Sequence, residues 1–213
     1  GRRFTDNGWC GSWGNPEIYK FFLPRIKPGH RMLDLGYGLG RNSHRLSMAG
    51  VCVVGVDNSS DNFSNSLEIR NEAGINHSVV LSDGWEYLAS HGRGFDYIFA
   101  IDLVLHLGKG IAIQKLEDLV SSMKRGAFLY VNVPSTLAPE YDFAKMCFPE
   151  VESDTFEMEC GCSGSIKLEP VCFFKPFELE SHLTRLGTKI RYIKLGGDYD
   201  DQPIKSCVIT EKI

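Results

Sequence analysis

Strand-like and helix-like stretches alternate through residues 32–133, and this alternation constrains the fold more than any other feature of the chain. Met32–Leu35, His77–Leu81, Phe95–Ala100 and Phe128–Val133 are short apolar runs. Val51–Val56 is a continuous, largely β-branched run of the kind found in strands buried on both faces. Between the runs lie helical patterns. Arg41–Ala49 closes on Gly50, a C-terminal cap position. The stretch after Ser59 or Ser60 puts Phe63 and Leu67 on one face, and a helix near 110–124 spaces Ile113, Leu116, Val120 and Met123 helically. Strands separated by helices need crossover connections, so they run parallel with helices on both faces, a doubly wound arrangement. Asn15-Pro16-Glu17 starts an earlier helix to about residue 26, stopped by Lys27-Pro28-Gly29. A late helix, Pro176–Leu186, stops at Gly187, and Thr188–Leu195 and Cys207–Thr210 bring the strands to seven.

At 213 residues the chain is sized for one domain, expected over 1–213, with a core that needs no staples. No stretch nears the roughly 18 uncharged apolar residues of a membrane span. Gly1-Arg2-Arg3-Phe4 does not open an apolar signal segment. Net charge is −4, and the 23 basic residues are scattered, so a phosphate backbone is not the expected partner. Seven cysteines without a CxxC pair, and without a secretion signal, fit reduced thiols in a cytoplasm. Residues 1–29 read as an N-terminal arm and helix, with Trp9, Cys10 and Trp13 among glycines at the start. Residues 136–170 break the alternation. They hold eight acids against two lysines, and so long a loop inside a compact domain points to an inserted lid or small β element over the ligand end of the sheet.

Gly36-Tyr37-Gly38-Leu39-Gly40 falls between the first strand and its helix, where doubly wound sheets bind ligands and where a missing Cβ lets backbone approach closely. Asp57 ends the second strand, about 20 residues on, where a carboxylate accepts hydrogen bonds from ribose hydroxyls, with Asn58 beside it. A nicotinamide dinucleotide and S-adenosylmethionine both fit this geometry. Pyrophosphate binding favours G-x-G-x-x-G. Here the third glycine comes one place early and Arg41-Asn42 opens the helix. Asp34, just before the loop, would repel a pyrophosphate but suits the ammonium of a methionyl group. The spacing therefore favours S-adenosylmethionine.

Leu33-Asp34-Leu35-Gly36-Tyr37-Gly38-Leu39-Gly40-Arg41-Asn42-Ser43 resembles motif I of the class I S-adenosylmethionine-dependent methyltransferases. The run through Leu46-Ser47-Met48-Ala49-Gly50 is similar to the small tellurite-resistance-type members. Val54–Asp57, Asp83, Phe95–Ile98 and, more weakly, Phe173–Leu186 extend the likeness. One departure is Tyr37, where those proteins usually carry Cys; only its backbone need face a ligand. The resemblance implies a Rossmann-like α/β fold. It also implies that Gly36, Gly38 and Gly40 face the methionyl and ribose parts, and that Asp57 binds the ribose. Asp83 would accept from the adenine amino group, with Gly84 and Trp85 beside the ring. Ile101 would lie near the adenosine or the methionyl chain.

After the fourth strand, Asp102-Leu103-Val104-Leu105-His106-Leu107 lies in the region where small-molecule methyltransferases keep substrate-side groups. His106 is the candidate general base. Asp102 is a candidate to bind the cofactor amine or to place the histidine. Nucleic-acid amino methyltransferases carry a D/N-P-P-aromatic tetrad there. Ala100-Ile101-Asp102-Leu103 does not match it, and Asn132-Val133-Pro134 follows the wrong strand. Cys160-Gly161-Cys162 lacks the x₂₋₄ ligand spacing of structural zinc, so no metal is expected. The sequence thus points to methyl transfer onto a small molecule, and the insertion's net charge of −6 suggests a neutral or cationic one. The rival readings are a non-catalytic module that holds the cofactor or a protein, and a nicotinamide enzyme.

Overall fold

The computed structural model describes residues 16–160, 167–196 and 205–213. The Trp9/Cys10/Trp13 arm, the Asn15 cap and Gly161-Cys162 lie outside them, as does the side chain of Cys160.

Seven strands form the main sheet: β1 (Arg31–Leu35), β2 (Cys52–Asp57), β3 (Ser78–Leu81), β4 (Tyr97–Ala100), β5 (Phe128–Pro134), β9 (Thr188–Gly196) and β10 (Lys205–Lys212). Their order is β3-β2-β1-β4-β5-β10-β9. The first five run parallel, while β10 is antiparallel to both β5 and β9. The chain reverses its direction of travel across the sheet between β1 and β4, so a crevice opens at their C-terminal ends. The expected α/β sheet with helices on both faces is what the chain forms.

Side chains alternate across the sheet as strand geometry requires. Leu33, Leu35, Ile98, Ala100, Leu129, Val131 and Val133 face one core, closed by α5 (Lys109–Ser122) and α7 (Glu178–Arg185). Met32, Tyr97, Phe99 and Tyr130 face the other, covered by α1 (Pro16–Phe22) and α2 (Arg41–Met48). A 3₁₀ turn, Leu23–Arg25, takes over the end of the first helix predicted to residue 26. Helix α3 (Ser60–Ala73) is capped by the Ser59 hydroxyl, which accepts from Asn62 N at 3.2 Å. Its buried residues are Ser66 and Arg70, with Phe63 and Leu67 only half-buried. The expected apolar face is shifted because the Arg70 guanidinium is drawn inward to donate to the His77 carbonyl.

Two helices do not show in the sequence pattern. Helix α4 (Gly84–His91) begins directly after β3, with the Asp83 carboxylate as its cap. The segment after β5 folds into α6 (Pro139–Cys147) and a separate antiparallel sheet of β6 (Glu150–Glu152), β7 (Thr155–Cys160) and β8 (Lys167–Cys172). Pro139 sits in the first turn of α6 with Glu140 and Asp142, a favourable start for a helix. This sheet has its own small apolar cluster of Ala144, Phe156 and Phe173. It is tied to the main domain by charge. Lys109 Nζ, at the start of α5, lies 3.2 Å from Asp154 and 2.9 Å from Glu178, and the Tyr141 hydroxyl donates to Asp154 at 2.5 Å. Among the described residues no helix is long and apolar enough to cross a membrane.

Candidate functional site

A cleft of about 990 Å³ opens at the crevice between β1 and β4. Its first wall is the turn from β1 into α2. Gly36 N and Tyr37 N both donate to the Val56 carbonyl at 3.0 Å, which pins the turn to β2. Gly36, Gly38 and Gly40 all have positive φ, at 67°, 55° and 75°. At Gly36 a Cβ would also press on Leu103 from the opposite wall. Here the glycines are required by conformation and by close approach together.

Asp57 holds this wall from below. Its Oδ2 accepts from Gly38 N at 2.7 Å, while Oδ1 accepts from Ser59 N at 2.9 Å and Asn62 Nδ2 at 3.3 Å. A carboxylate offers about four acceptor places, so one remains for a ligand. Asp34, at the end of β1, is buried and accepts from the Ser43 hydroxyl, a neutral partner. Burial raises its pKa to about 7, the Ser43 hydrogen bond opposes this, and the neighbouring Asp57 charge adds to it. A carboxyl held so near neutrality by desolvation would be stabilised in its charged form by a cation entering the cleft.

Tyr37 turns its side chain away from the cleft, and this arrangement was not visible in the sequence. Its hydroxyl bonds His77 Nε2 at 2.7 Å and approaches His44 Nδ1 at 3.4 Å, and His44 Nε2 donates to the Leu39 carbonyl at 2.9 Å. Burial is the main cause that lowers the pKa of His44 to about 4 and that of His77 to about 3. The ring of Tyr37 fills the space that a Cβ would occupy at Gly55 and at Gly40. The residue that departs from the motif is thus packed behind the loop, and glycine is needed at both of its neighbours.

The second wall comes from the end of β4 and from the insertion. Asp102 sits at φ 50°, an uncommon conformation for a residue with a side chain. Asn132 holds it there: Asp102 N donates to Asn132 Oδ1 at 2.6 Å, and Asn132 Nδ2 donates back to Asp102 Oδ1 at 3.0 Å. Lys205 Nζ, from β10, donates to the same Oδ1 at 2.7 Å. His106 closes the 3₁₀ turn Val104–His106. Its Nδ1 lies 3.3 Å from Glu169 Oε2 on β8.

Of the residues marked in the sequence, Asp34, Gly36, Tyr37, Gly38, Gly40, Arg41, Asn42, Asp57, Asn58, Trp85, Ile101, Asp102 and His106 all line this cleft. Asp83 and Gly84 are not among its lining residues. The carboxylate of Asp83 accepts from Trp85 N at 2.8 Å and Glu86 N at 3.0 Å through one oxygen, capping α4. Lys167 and Glu169 line the cleft unannounced by any motif.

No family profile matches the chain. Three curated relatives match parts of it. Sterol 24-C-methyltransferase erg6 of Schizosaccharomyces pombe is 25% identical over 49% of this chain and 28% of the relative. A tRNA U34 carboxymethyltransferase of Methylococcus capsulatus is 29% identical over 57% of the chain and 36% of the relative. A ubiquinone biosynthesis O-methyltransferase of Azorhizobium caulinodans is 31% identical over 44% of the chain and 37% of the relative. The chain therefore spans about a third of the length of these relatives. Solved structures agree over a longer stretch. A SAM-dependent methyltransferase from Methanosarcina mazei aligns with TM-score 0.71 at 18% identity, over 93% of this chain and 97% of its own. Magnesium protoporphyrin IX methyltransferase from Synechocystis, crystallised with SAM, aligns with TM-score 0.65 at 16% identity over 92% and 76%. TehB from Haemophilus influenzae aligns with TM-score 0.62 at 17% identity over 92% and 62%. Along nearly its whole length the chain shares its fold with S-adenosylmethionine-dependent methyltransferases, and over about half of it the sequence is similar to curated methyltransferases.

Proposed function

We propose that the protein is a methyltransferase that uses S-adenosylmethionine and acts on a small-molecule acceptor, neutral or cationic, in a cytoplasm. The observation that carries this reading is one continuous cleft with two unlike walls. Glycine backbone, Asp34 and Asp57 line one side, and Ile101, His106 and Glu169 line the other.

The residues fit the cofactor chemically. Gly36 and Gly38 leave backbone open to close approach, Gly40 also lines the cleft, and the remaining acceptor place on Asp57 suits a ribose hydroxyl. Asp34 favours a cationic methionyl group, and Asn58, Arg41 and Asn42 also line the cleft. Trp85 and Ile101 offer apolar surface to a base. When bound, the cofactor supplies a methyl group on a positively charged sulfur. What the chain adds is orientation, exclusion of water and a proton acceptor. His106 takes the proton role in this reading, and Asp102, held by Asn132 and Lys205, shapes the loop that carries it. One relative is named for a tRNA. The net charge of −4 and the acidic insertion tell against a polyanion as acceptor here.

Calorimetric titration with S-adenosylmethionine, S-adenosylhomocysteine and NAD tests the reading. Micromolar binding of the two sulfur nucleosides without NAD is the expected result. Asp57→Ala should weaken both about 10- to 150-fold, the loss of charge-assisted hydrogen bonds of about 1.5–3 kcal/mol. Binding of NAD alone would make this a nicotinamide protein. Binding of none would leave a non-catalytic module.

A further inference from the structure

His106 and Glu169 meet across the cleft from elements with no neighbouring sequence in common. His106 stands on the turn after β4 and Glu169 on β8 of the inserted sheet, with Nδ1 and Oε2 3.3 Å apart. Neither side chain is fully withdrawn from solvent, at 24% and 35% exposed. The carboxylate is not on a loose arm. Three residues along, the buried Cys172 thiol donates to the carbonyl of Val104, in the same turn as His106, at 3.6 Å. Two residues further on, Phe174 is locked into the main domain: its N donates to the Pro134 carbonyl at 2.9 Å, and its carbonyl accepts from Thr136 N at 2.9 Å. One strand of the insertion is thus fastened to the turn at one point and offers it a carboxylate at another.

Resting on the methyl-transfer reading above, we propose that Glu169 is the positioning residue for His106: it accepts the Nδ1 proton, fixes the tautomer whose Nε2 carries the lone pair, and so fits the ring to take a proton from the acceptor atom. The acceptor this suits is a neutral molecule whose reacting oxygen or nitrogen bears a proton. A thioether, a tertiary amine or a carbon–carbon double bond has no such proton to give. The charge bookkeeping favours the same class. The proton leaves a neutral acceptor for a neutral ring, and the imidazolium that forms faces a carboxylate. The charged groups facing the ring are Glu169 from β8, Asp102 from the end of β4 and Lys205 from β10, and Lys167 also lines the cleft. Burial is the largest influence and lowers the ring's pKa; Glu169 and Asp102 act against it and Lys205 with it.

The test is nitrogen-15 NMR of the histidine rings in the whole protein across pH, with the His106 signals assigned through His106→Gln. The wild type is expected to show the Nδ1-protonated tautomer. Glu169→Gln is expected to lower the pKa of His106 by about half a unit to one unit, as loss of a neighbouring opposite charge does. Glu169→Ala is expected to mix the tautomers, and Glu169→Asp to restore the wild-type pattern in part. An Nε2-protonated ring in the wild type, or a pKa and tautomer unmoved in Glu169→Gln and Glu169→Ala, overturns the proposal. Calorimetry with S-adenosylhomocysteine on the same samples separates the two claims. A positioned ring in a protein that binds no nucleoside sinks the methyl-transfer reading. An unpositioned ring in a protein that binds it sinks the role of Glu169.

Discussion

The two walls of the cleft are built by different means. The glycine wall is backbone: peptide groups in left-handed conformations, anchored to β2 by the Val56 carbonyl and the Asp57 carboxylate. The opposite wall is side chains: Asp102 and His106 from the segment after β4 and Glu169 from β8, held by the ion pair of Lys205 with Asp102 and by the contact of His106 with Glu169. A backbone wall binds what many ligands share and tolerates little change in residue size. A side-chain wall can be rewritten by substitution without disturbing the sheet. The division suggests where common and individual recognition reside in one cleft.

Breaking the anchor of the side-chain wall should have the largest effect. Lys109→Met leaves Asp154 and Glu178 without their shared cation in a mostly buried setting. It should cost about 3–5 kcal/mol, as loss of one partner from a buried ion group does. Chemical denaturation gives the total, and hydrogen exchange should show the loss concentrated in residues 139–172. Exchange that rises evenly over the main sheet would mean that the insertion is not a separable wall.

Next in size is a fault behind the backbone wall. Gly55→Ala drives a methyl into the ring of Tyr37 and should destabilise by about 1–3 kcal/mol. Tyr37→Ala in the same molecule should recover part of what Gly55→Ala loses, a non-additivity that a double-mutant cycle measures. Strict additivity would show that the two residues do not share the space.

The smallest effect is a slope. Asp34 is neutral in the folded protein up to about pH 7 but ionises near 3.8 when exposed, so its contribution to stability falls as pH rises between those values. His44 and His77 act with the opposite sign. Their folded pKa values lie near 4 and 3, below the ordinary 6.5, so their contribution is complete above 6.5 and is lost as pH falls towards the folded values. Asp34→Asn removes the opposing acid. Its stability should therefore drop more steeply than the wild type's from pH 6.5 to 4.5, by about 1 kcal/mol per pH unit. Parallel curves would remove Asp34 from the account.

The sheet was legible because buried parallel strands must be apolar runs, and β1, β2, β4 and β5 are such runs. The glycine wall was legible for a related reason, since positive φ and close approach leave few choices of residue. Helix α4 is short and buries only Leu88, so no apolar period marks it, although Asp83 and Glu86 have the spacing of a capping box. The other wall was opaque for a physical reason. Lys205 reaches Asp102 across 103 residues of chain, and Asn132 reaches it across 30. Such meetings are decided by which strand ends up beside which, and no local pattern encodes them. His106 was marked from its position after the fourth strand, but its partner on the insertion could not be.

The reversed placement of β10 bears on how the chain is made. Strand β10 lies between β5 and β9 and hydrogen-bonds to both, although it is synthesised after either. On the ribosome, β1 to β5 can assemble in the order they emerge, but β9 has no neighbour to join until Lys205–Lys212 arrives. Until then the edge of β5 stands open, a template to which another nascent strand can pair. The last strand in is therefore the one that seals the sheet, and slow delivery of that segment should be punished by aggregation.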